Sequence, residues 1–222
     1  KHNLKVIYDA AHAFGIEYNG RGITSYGDVS MLSFHATKVF HTIEGGALCF
    51  NDSSLSDKIS KQRNFGINGD ELQCFGTNAK MNEFQAAMGI CNLRHIDDEL
   101  ESRRKAFERY ELNLKSVKGI NTIGLNNDIK QNYAYYPILV DENVFGMNRD
   151  KLCDKLYECG VAARKYFYPL VSENLEFGTC DTSDTPKAFY FSRNILCLPM
   201  YAHLTLSDVD MICNAIKNCE EE

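Results

Sequence analysis

Two residues far apart in the sequence suggest covalent chemistry. Asp9 closes the apolar run Leu4 to Tyr8, and Lys38 follows the alternating run Val29 to Phe34. Both runs read as strands, the first a near-continuous apolar one of the kind covered on both faces of a sheet. In open α/β sheets, ligands bind beyond the carboxyl ends of strands, where both residues fall. Asp9 taken alone also suits a helix cap, and Lys38 taken alone suits an ordinary surface lysine. On neighbouring strand ends the two have a specific joint use. A partly desolvated amine is a nucleophile able to condense with an aldehyde. A carboxylate beside a pyridine nitrogen keeps that nitrogen protonated, so the ring accepts electrons. These are the requirements of a pyridoxal phosphate site. Glu44-Gly45-Gly46 adds a turn that permits close backbone approach, a feature it shares with many loops.

The elements that must position these residues alternate along the first hundred positions. Ala47 to Phe50 reads as a third strand and Leu55 to Arg63 as a short helix stopped near Phe65-Gly66. Asn82 followed by Gln85 has the form of a capping box, opening a helix with Phe84, Ala87, Met88 and Cys91 on one side. Strands interleaved with helices predict an α/β domain with a largely parallel sheet. Asp97 to Val117 reads as one long charged helix. Its heptad row of Leu100, Phe107 and Leu114, with Tyr110 and Val117 beside it, suits a coiled-coil seam or a helix bridging two domains. Arg103 inside the stripe and the small number of heptads favour the bridge.

After Gly119 the pattern changes. Ala134 to Val140 and Val161 to Tyr168 read as strands, Arg149 to Cys159 as a helix ended by Gly160, and Ile195 to Leu198 as a short strand. Ser207 to Asp210 opens a last amphipathic helix with Val209, Ile212, Cys213 and Ile216 on one face. This mixture predicts a smaller α+β domain. The acidic residues Glu220 to Glu222 read as a solvated tail.

Composition excludes several classes. The 222 residues amount to about one and a half domains of ~150 residues. With 44% hydrophobic residues, 13 Phe and 12 Tyr against 4 Pro, the chain is too apolar to stay disordered. No apolar stretch approaches the ~18 residues of a membrane span. A net charge of −6 provides no electrostatic footprint for nucleic acid or anionic lipid. The nine cysteines include no C-x-x-C and no finger-like His spacing, so no metal site is predicted. Most of them read as small buried hydrophobes in a reducing compartment, and the protein as cytoplasmic. Asn51-Asp52-Ser53 fits the glycosylation acceptor pattern, and without a secretion signal it reads as chance. His35 and His41, which flank Lys38, read as ordinary loop histidines.

Longer motifs carry a resemblance. Val6 to Gly15 (VIYDAAHAFG), Gly27-Asp28, Ser33 to Lys38 (SFHATK) and Glu44 to Ala47 occur in that order. Arg63 to Gly66, Asn78 to Ala87, Phe167 to Leu170 and Cys197 to Tyr201 continue the series. Together they resemble the DegT/DnrJ/EryC1/StrS family of nucleotide-sugar aminotransferases over nearly the whole chain.

The resemblance implies a fold type I pyridoxal-phosphate aminotransferase. Residues 1–96 correspond to the carboxyl-terminal part of the cofactor-binding large domain, and residues 97–222 to a bridging helix and small domain. The amino-terminal part of the large domain is absent, so this chain alone is expected to be poorly active. The resemblance also implies roles. Lys38 holds the cofactor and shuttles the proton, Asp9 pairs with the pyridine nitrogen, and His12 lies near the ring oxygen. Ser33 donates to the phosphate, and Asn78 reaches the phosphate of a neighbouring subunit, which implies a homodimer with shared sites. Tyr166 and Tyr168 either line the sugar pocket, as the equivalent segment does in similar proteins, or belong to a core strand. The chain departs from the family in having Lys80 for the usual Arg and Ile43 for the usual Gly.

The implied reaction moves an amino group from a donor such as L-glutamate to a nucleotide-linked keto sugar, a dTDP-4-keto-6-deoxyhexose by the wording around Lys38. Its place would be amino-sugar synthesis for surface polysaccharide. Two rivals are a non-catalytic dimerising fragment and a dehydratase or regulatory relative. Dehydratase relatives replace the lysine with His, so Lys38 argues against that version.

Overall fold

A computed structural model describes residues 2–126, 128–174 and 182–220. Cys180 and the last two acidic residues lie outside the described residues. The chain forms two compact units, Lys1–Asp98 with Asn126–Asn132, and Glu99–Leu125 with Tyr133–Glu222. In chain order the elements begin with β1 (Ile7–Asp9), β2 (Glu17–Tyr18), β3 (Arg21–Gly22), β4 (Val29–Ser33) and β5 (Gly46–Phe50). Then come α1 (Ser54–Gln62), β6 (Ile67–Asn68), β7 (Glu71–Leu72), α2 (Glu83–Leu93), α3 (Ile96–Leu114), β8 (Ile120–Thr122) and β9 (Ile129–Lys130). The chain closes with β10 (Tyr136–Val140), α4 (Glu142–Phe145), α5 (Arg149–Glu158), α6 (Pro186–Asn194), β11 (Ile195–Leu198) and α7 (Leu206–Glu220).

In the first unit a three-stranded sheet has the order β1-β4-β5. β1 and β4 are parallel, with Asp9 opposite Met31, and β4 and β5 are antiparallel, with Ser33 opposite Gly46. Parallel pairing brings the carboxyl ends of β1 and β4 to the same edge of the sheet. The alternation in β4 buries Ser30 and Leu32 on one side. Among the described residues, β1 is not covered on both faces as its apolar run predicts. It is an outer strand of the sheet, and Ile7 is 71% exposed.

The capping box at α2 forms as its residue types dictate. Asn82 Oδ1 accepts from the Gln85 amide at 2.9 Å, and Gln85 Oε1 accepts from the Asn82 amide at 2.9 Å. The face that packs differs from the apolar side read in the sequence. Phe84 is 86% exposed, whereas Gly89 is buried. A Cβ at Gly89 would lie 2.9 Å from Thr42 Cγ2, so the absent side chain is what permits this approach. Asn92 Nδ2 then donates to the His41 carbonyl at 2.8 Å. Close approach and a polar tie thus orient the helix in place of its apolar stripe.

The second unit holds the larger core. β10 lies between β11 and β8, antiparallel to both, with Tyr136, Ile138 and Val140 buried. Phe107, Tyr110 and Leu114 of α3 are buried in this core and are therefore not available as a coiled-coil seam. Each fully buried aliphatic side chain, such as Leu152 and Leu156, contributes about 1.5–3 kcal/mol relative to exposure. Tyr110 stacks on Tyr136 at 4.5 Å between ring centroids, and both hydroxyls are satisfied, by the Pro199 carbonyl and by Glu111. Val161 to Tyr168 is not the strand its composition predicts. Its pairing in the unit is one isolated bridge, Arg164 with Cys197 on the open edge of β11, because the chain turns on either side of it, the Ala163 amide reaching the Val161 carbonyl and the Tyr166 amide the Arg164 carbonyl. The eight described cysteines are free, and burial pushes the thiols of Cys197 and Cys213 up to about 11. No helix of the described residues is long and apolar enough to cross a membrane.

Candidate active site

The site is built at the shared carboxyl edge of β1 and β4. Past Asp9 the Ala10 amide continues the pairing by donating to the Met31 carbonyl at 2.9 Å, after which the chain turns, the Ala13 amide reaching the Ala10 carbonyl. The Asp9 side chain steadies this exit, Oδ1 accepting from the Ala11 amide at 3.1 Å. The turn delivers His12. On the neighbouring strand, Ser33 Oγ accepts from the His35 amide at 3.3 Å, and the Lys38 amide closes a turn on the His35 carbonyl at 2.9 Å. The result is a direct contact, with Lys38 Nζ 2.8 Å from His12 Nε2.

Three aromatic rings tie the two turns together. Phe14 stacks on Phe40 at 4.5 Å, and Phe34 meets Phe40 edge-on at 4.9 Å. Phe14 follows His12 in the chain, and Phe34 and Phe40 bracket Lys38, so the packing that holds the rings also holds the two polar groups in register. Thr42, buried beneath, donates to the Glu44 carbonyl at 2.7 Å and shapes the Glu44-Gly45-Gly46 turn.

His12 is half-buried, and its pKa is held below the ordinary 6.5 by burial first and by the Lys38 charge second, with Asp9 opposing. Desolvation penalises the cationic ring, and a neighbouring ammonium adds repulsion. His12 is therefore a neutral imidazole near neutral pH and accepts from the Lys38 ammonium, leaving its proton on Nδ1.

The structure thus gathers Asp9, His12, Ser33 and Lys38 at one sheet edge. Asn78 is placed differently, by a bridge to Asn64. Lys80 lies beside it, donating to Asn64 Oδ1 at 2.7 Å with its ammonium 4.3 Å from the Phe65 ring centroid. Tyr166 and Tyr168 belong to the second unit. The Tyr166 hydroxyl accepts from Arg164 at 2.8 Å and its ring stacks on Phe167. The Tyr168 hydroxyl accepts from Arg193 at 2.8 Å, and the buried Arg149 guanidinium lies 4.9 Å from its ring centroid. Neither tyrosine lies in a core strand. No group of three or more metal-ligating side chains occurs among the described residues.

Comparison with known proteins shows the family. The DegT/DnrJ/EryC1/StrS aminotransferase family matches residues 1–217. The chain belongs to that family. A dTDP-4-amino-4,6-dideoxy-D-glucose transaminase of Shigella dysenteriae is 39% identical over 98% of this chain and 59% of its own length. A transaminase of the same name from Escherichia coli is 36% identical over 91% of this chain and 56% of its own. The crystal structure of DesI, determined in the presence of its TDP-sugar product, superposes with a TM-score of 0.91 at 30% identity, covering 99% of this chain and 56% of that one. The chain thus spans under three fifths of the length of these relatives. Aminotransferases of the family depend on pyridoxal 5′-phosphate. The donor set at the β1/β4 edge fits that group in kind: an amine in contact with a neutral imidazole, with a carboxylate and a hydroxyl at the two strand ends. One residue that helps to hold this set, Asn132, has no signature in the sequence.

Proposed function

We propose that this family member is a transaminase that moves an amino group from an amino acid donor, L-glutamate, to the keto carbon of a nucleotide-linked sugar. The Lys38–His12 contact beside Asp9 carries the reading. It places the one amine at the sheet edge against a neutral base, in a half-buried setting suited to covalent capture of an aldehyde. Pyridoxal phosphate, when bound, supplies the electron sink. Lys38 would hold it through Nζ, the amine condensing with the aldehyde and releasing water. Once displaced by the donor, Lys38 is free to carry a proton from the donor's α-carbon and later to return one to the sugar carbon. Asp9 would hold a proton on the pyridine nitrogen, His12 would lie near the ring oxygen, and the Ser33 hydroxyl would donate to the phosphate.

The names of two relatives support a dTDP-4-keto-6-deoxyhexose as acceptor. The setting we assign to the reaction is amino-sugar synthesis for surface polysaccharide in the cytoplasm. Tyr166 and Tyr168 would contribute to the sugar pocket. The partner would be a second copy, with Asn78 reaching the cofactor phosphate of the neighbouring site. The exposed Phe84, Ile90 and Leu93 of α2 support such an interface, since these large apolar side chains have no cover in the monomer.

Incubation with pyridoxal phosphate followed by borohydride should leave a covalent adduct on Lys38. In a separate, unreduced sample, L-glutamate should transfer its nitrogen to the dTDP-keto sugar with ping-pong kinetics. Absence of the adduct in the intact wild-type protein would rule the proposal out.

A further inference from the structure

Asn132 is 3% exposed and stands 120 positions after His12 in the chain. It ends the segment that returns to the first unit through β9. Its Nδ2 donates to the His12 carbonyl at 2.8 Å and to the Phe14 carbonyl at 2.9 Å. A side-chain amide carries two N–H hydrogens, and here both point into the turn that presents His12. The same returning segment anchors the far end of that loop. β9 pairs with β2, Lys130 Nζ meets Glu17 Oε1 at 2.7 Å, and the Asn19 amide donates to the Asp128 carbonyl at 2.9 Å. The chain between β1 and β3 is thus held from outside by residues 128–132.

We infer that Asn132 is a positioning residue: it clamps the His12–Phe14 turn and so fixes the approach of His12 to Lys38. A buried carbonyl without a donor is costly, so loss of both bonds would let the turn shift toward water. The charged groups facing His12 are Lys38 and Asp9. A relaxed turn would return water to the imidazole and draw it away from the Lys38 ammonium. Both changes raise the pH at which His12 takes up a proton. The consequence for catalysis rests on the transaminase reading, whereas the clamp itself does not.

The test uses Asn132→Leu, which keeps charge and approximate volume and deletes both donors, in the intact protein. With cofactor removed, His12 is titrated by NMR, its signal identified by its loss in His12→Gln. The His12 midpoint should rise toward 6.5. In the loaded enzyme kcat should fall by about ten- to a hundredfold with little change in KM for the amino donor. A folded Asn132→Leu protein with the wild-type His12 midpoint overturns the inference. If that variant does not fold, Asn132→Ala, which also deletes both donors, is read the same way: a raised midpoint supports the clamp and an unchanged one overturns it. A raised midpoint in a protein without transaminase activity upholds the clamp and refutes the proposed function separately.

Discussion

Lys38 Nζ and His12 Nε2 meet at 2.8 Å although 26 positions separate them in the chain. The contact exists because β1 and β4 run parallel and end at one edge, and because Phe14, Phe34 and Phe40 lock the turns that follow. Lys38→Ala should abolish the borohydride-trapped adduct, measured by mass spectrometry of the reduced protein. Removing the proposed proton carrier should also lower turnover by about 10²–10⁴-fold or more.

His12 also sets a pH dependence. Its folded pKa is below 6.5, so the unfolded chain takes up the proton first as the pH falls. Stability attributable to His12 is therefore present above about 6.5 and is lost progressively below it, down through the lowered folded value. His12→Gln should flatten this part of the stability profile, measured by urea midpoints between neutral and mildly acidic pH. Equal slopes in the two proteins would show that the imidazole is not held neutral.

Asp9→Asn separates cofactor capture from electron withdrawal. The amide keeps the size of the side chain and its acceptor oxygen for the Ala11 amide, but it no longer offers a negative charge to a protonated ring nitrogen. The variant should still form the Lys38 adduct, while transamination falls by about 10²-fold or more. Stopped-flow spectra of the half-reaction with L-glutamate read the two effects apart.

Ile43 occupies a backbone conformation with φ +68° and is half exposed. A β-branched residue there is strained by about 1–2 kcal/mol, and glycine is not. Glycine also adds entropy to the unfolded chain, about 0.4–1 kcal/mol. Ile43→Gly should therefore stabilise the protein by about 0.5–1 kcal/mol, read from the denaturation midpoint.

Gly89→Val tests the packing of α2. With Thr42 Cγ2 2.9 Å from the Cβ position and Phe40 Cζ at 3.6 Å, a branched side chain has no room. Overpacking of this kind costs about 1–3 kcal/mol and would press on the residues beneath the Lys38 turn, so activity should fall with stability.

Asp210 contributes to the acid limb of stability in the second unit, as do Glu101 and Asp150. It accepts two hydrogen bonds from Arg109 and one from Asn113, which hold its carboxyl at about 2. The group's contribution is complete above its unfolded value near 3.8 and disappears as the pH drops through about 2. Asp210→Asn should remove this acid-dependent component, seen as a shallower loss of thermal stability between pH 4 and 2.

Much of this protein was legible in the residues alone. The strand at Val29, the helix from Arg149, the last amphipathic helix and the Asn82 capping box depend on local periodicity and on side chains reaching backbone groups a few positions away. The family could be read as well, because Asp9, Lys38 and the motifs around them are defined by type and spacing. Tertiary structure decided what depends on distant partners. Tyr166 and Tyr168 have the composition of a strand, yet Val161 to Tyr168 makes one bridge to the open edge of β11 because the backbone turns on itself on either side of Arg164. The apolar side of α2 remains exposed because a glycine and an asparagine, not hydrophobicity, settle which face packs. The neutral state of His12 and the clamp from Asn132 have no sequence pattern. Desolvation and paired hydrogen bonds arise only when segments 120 positions apart are folded against each other.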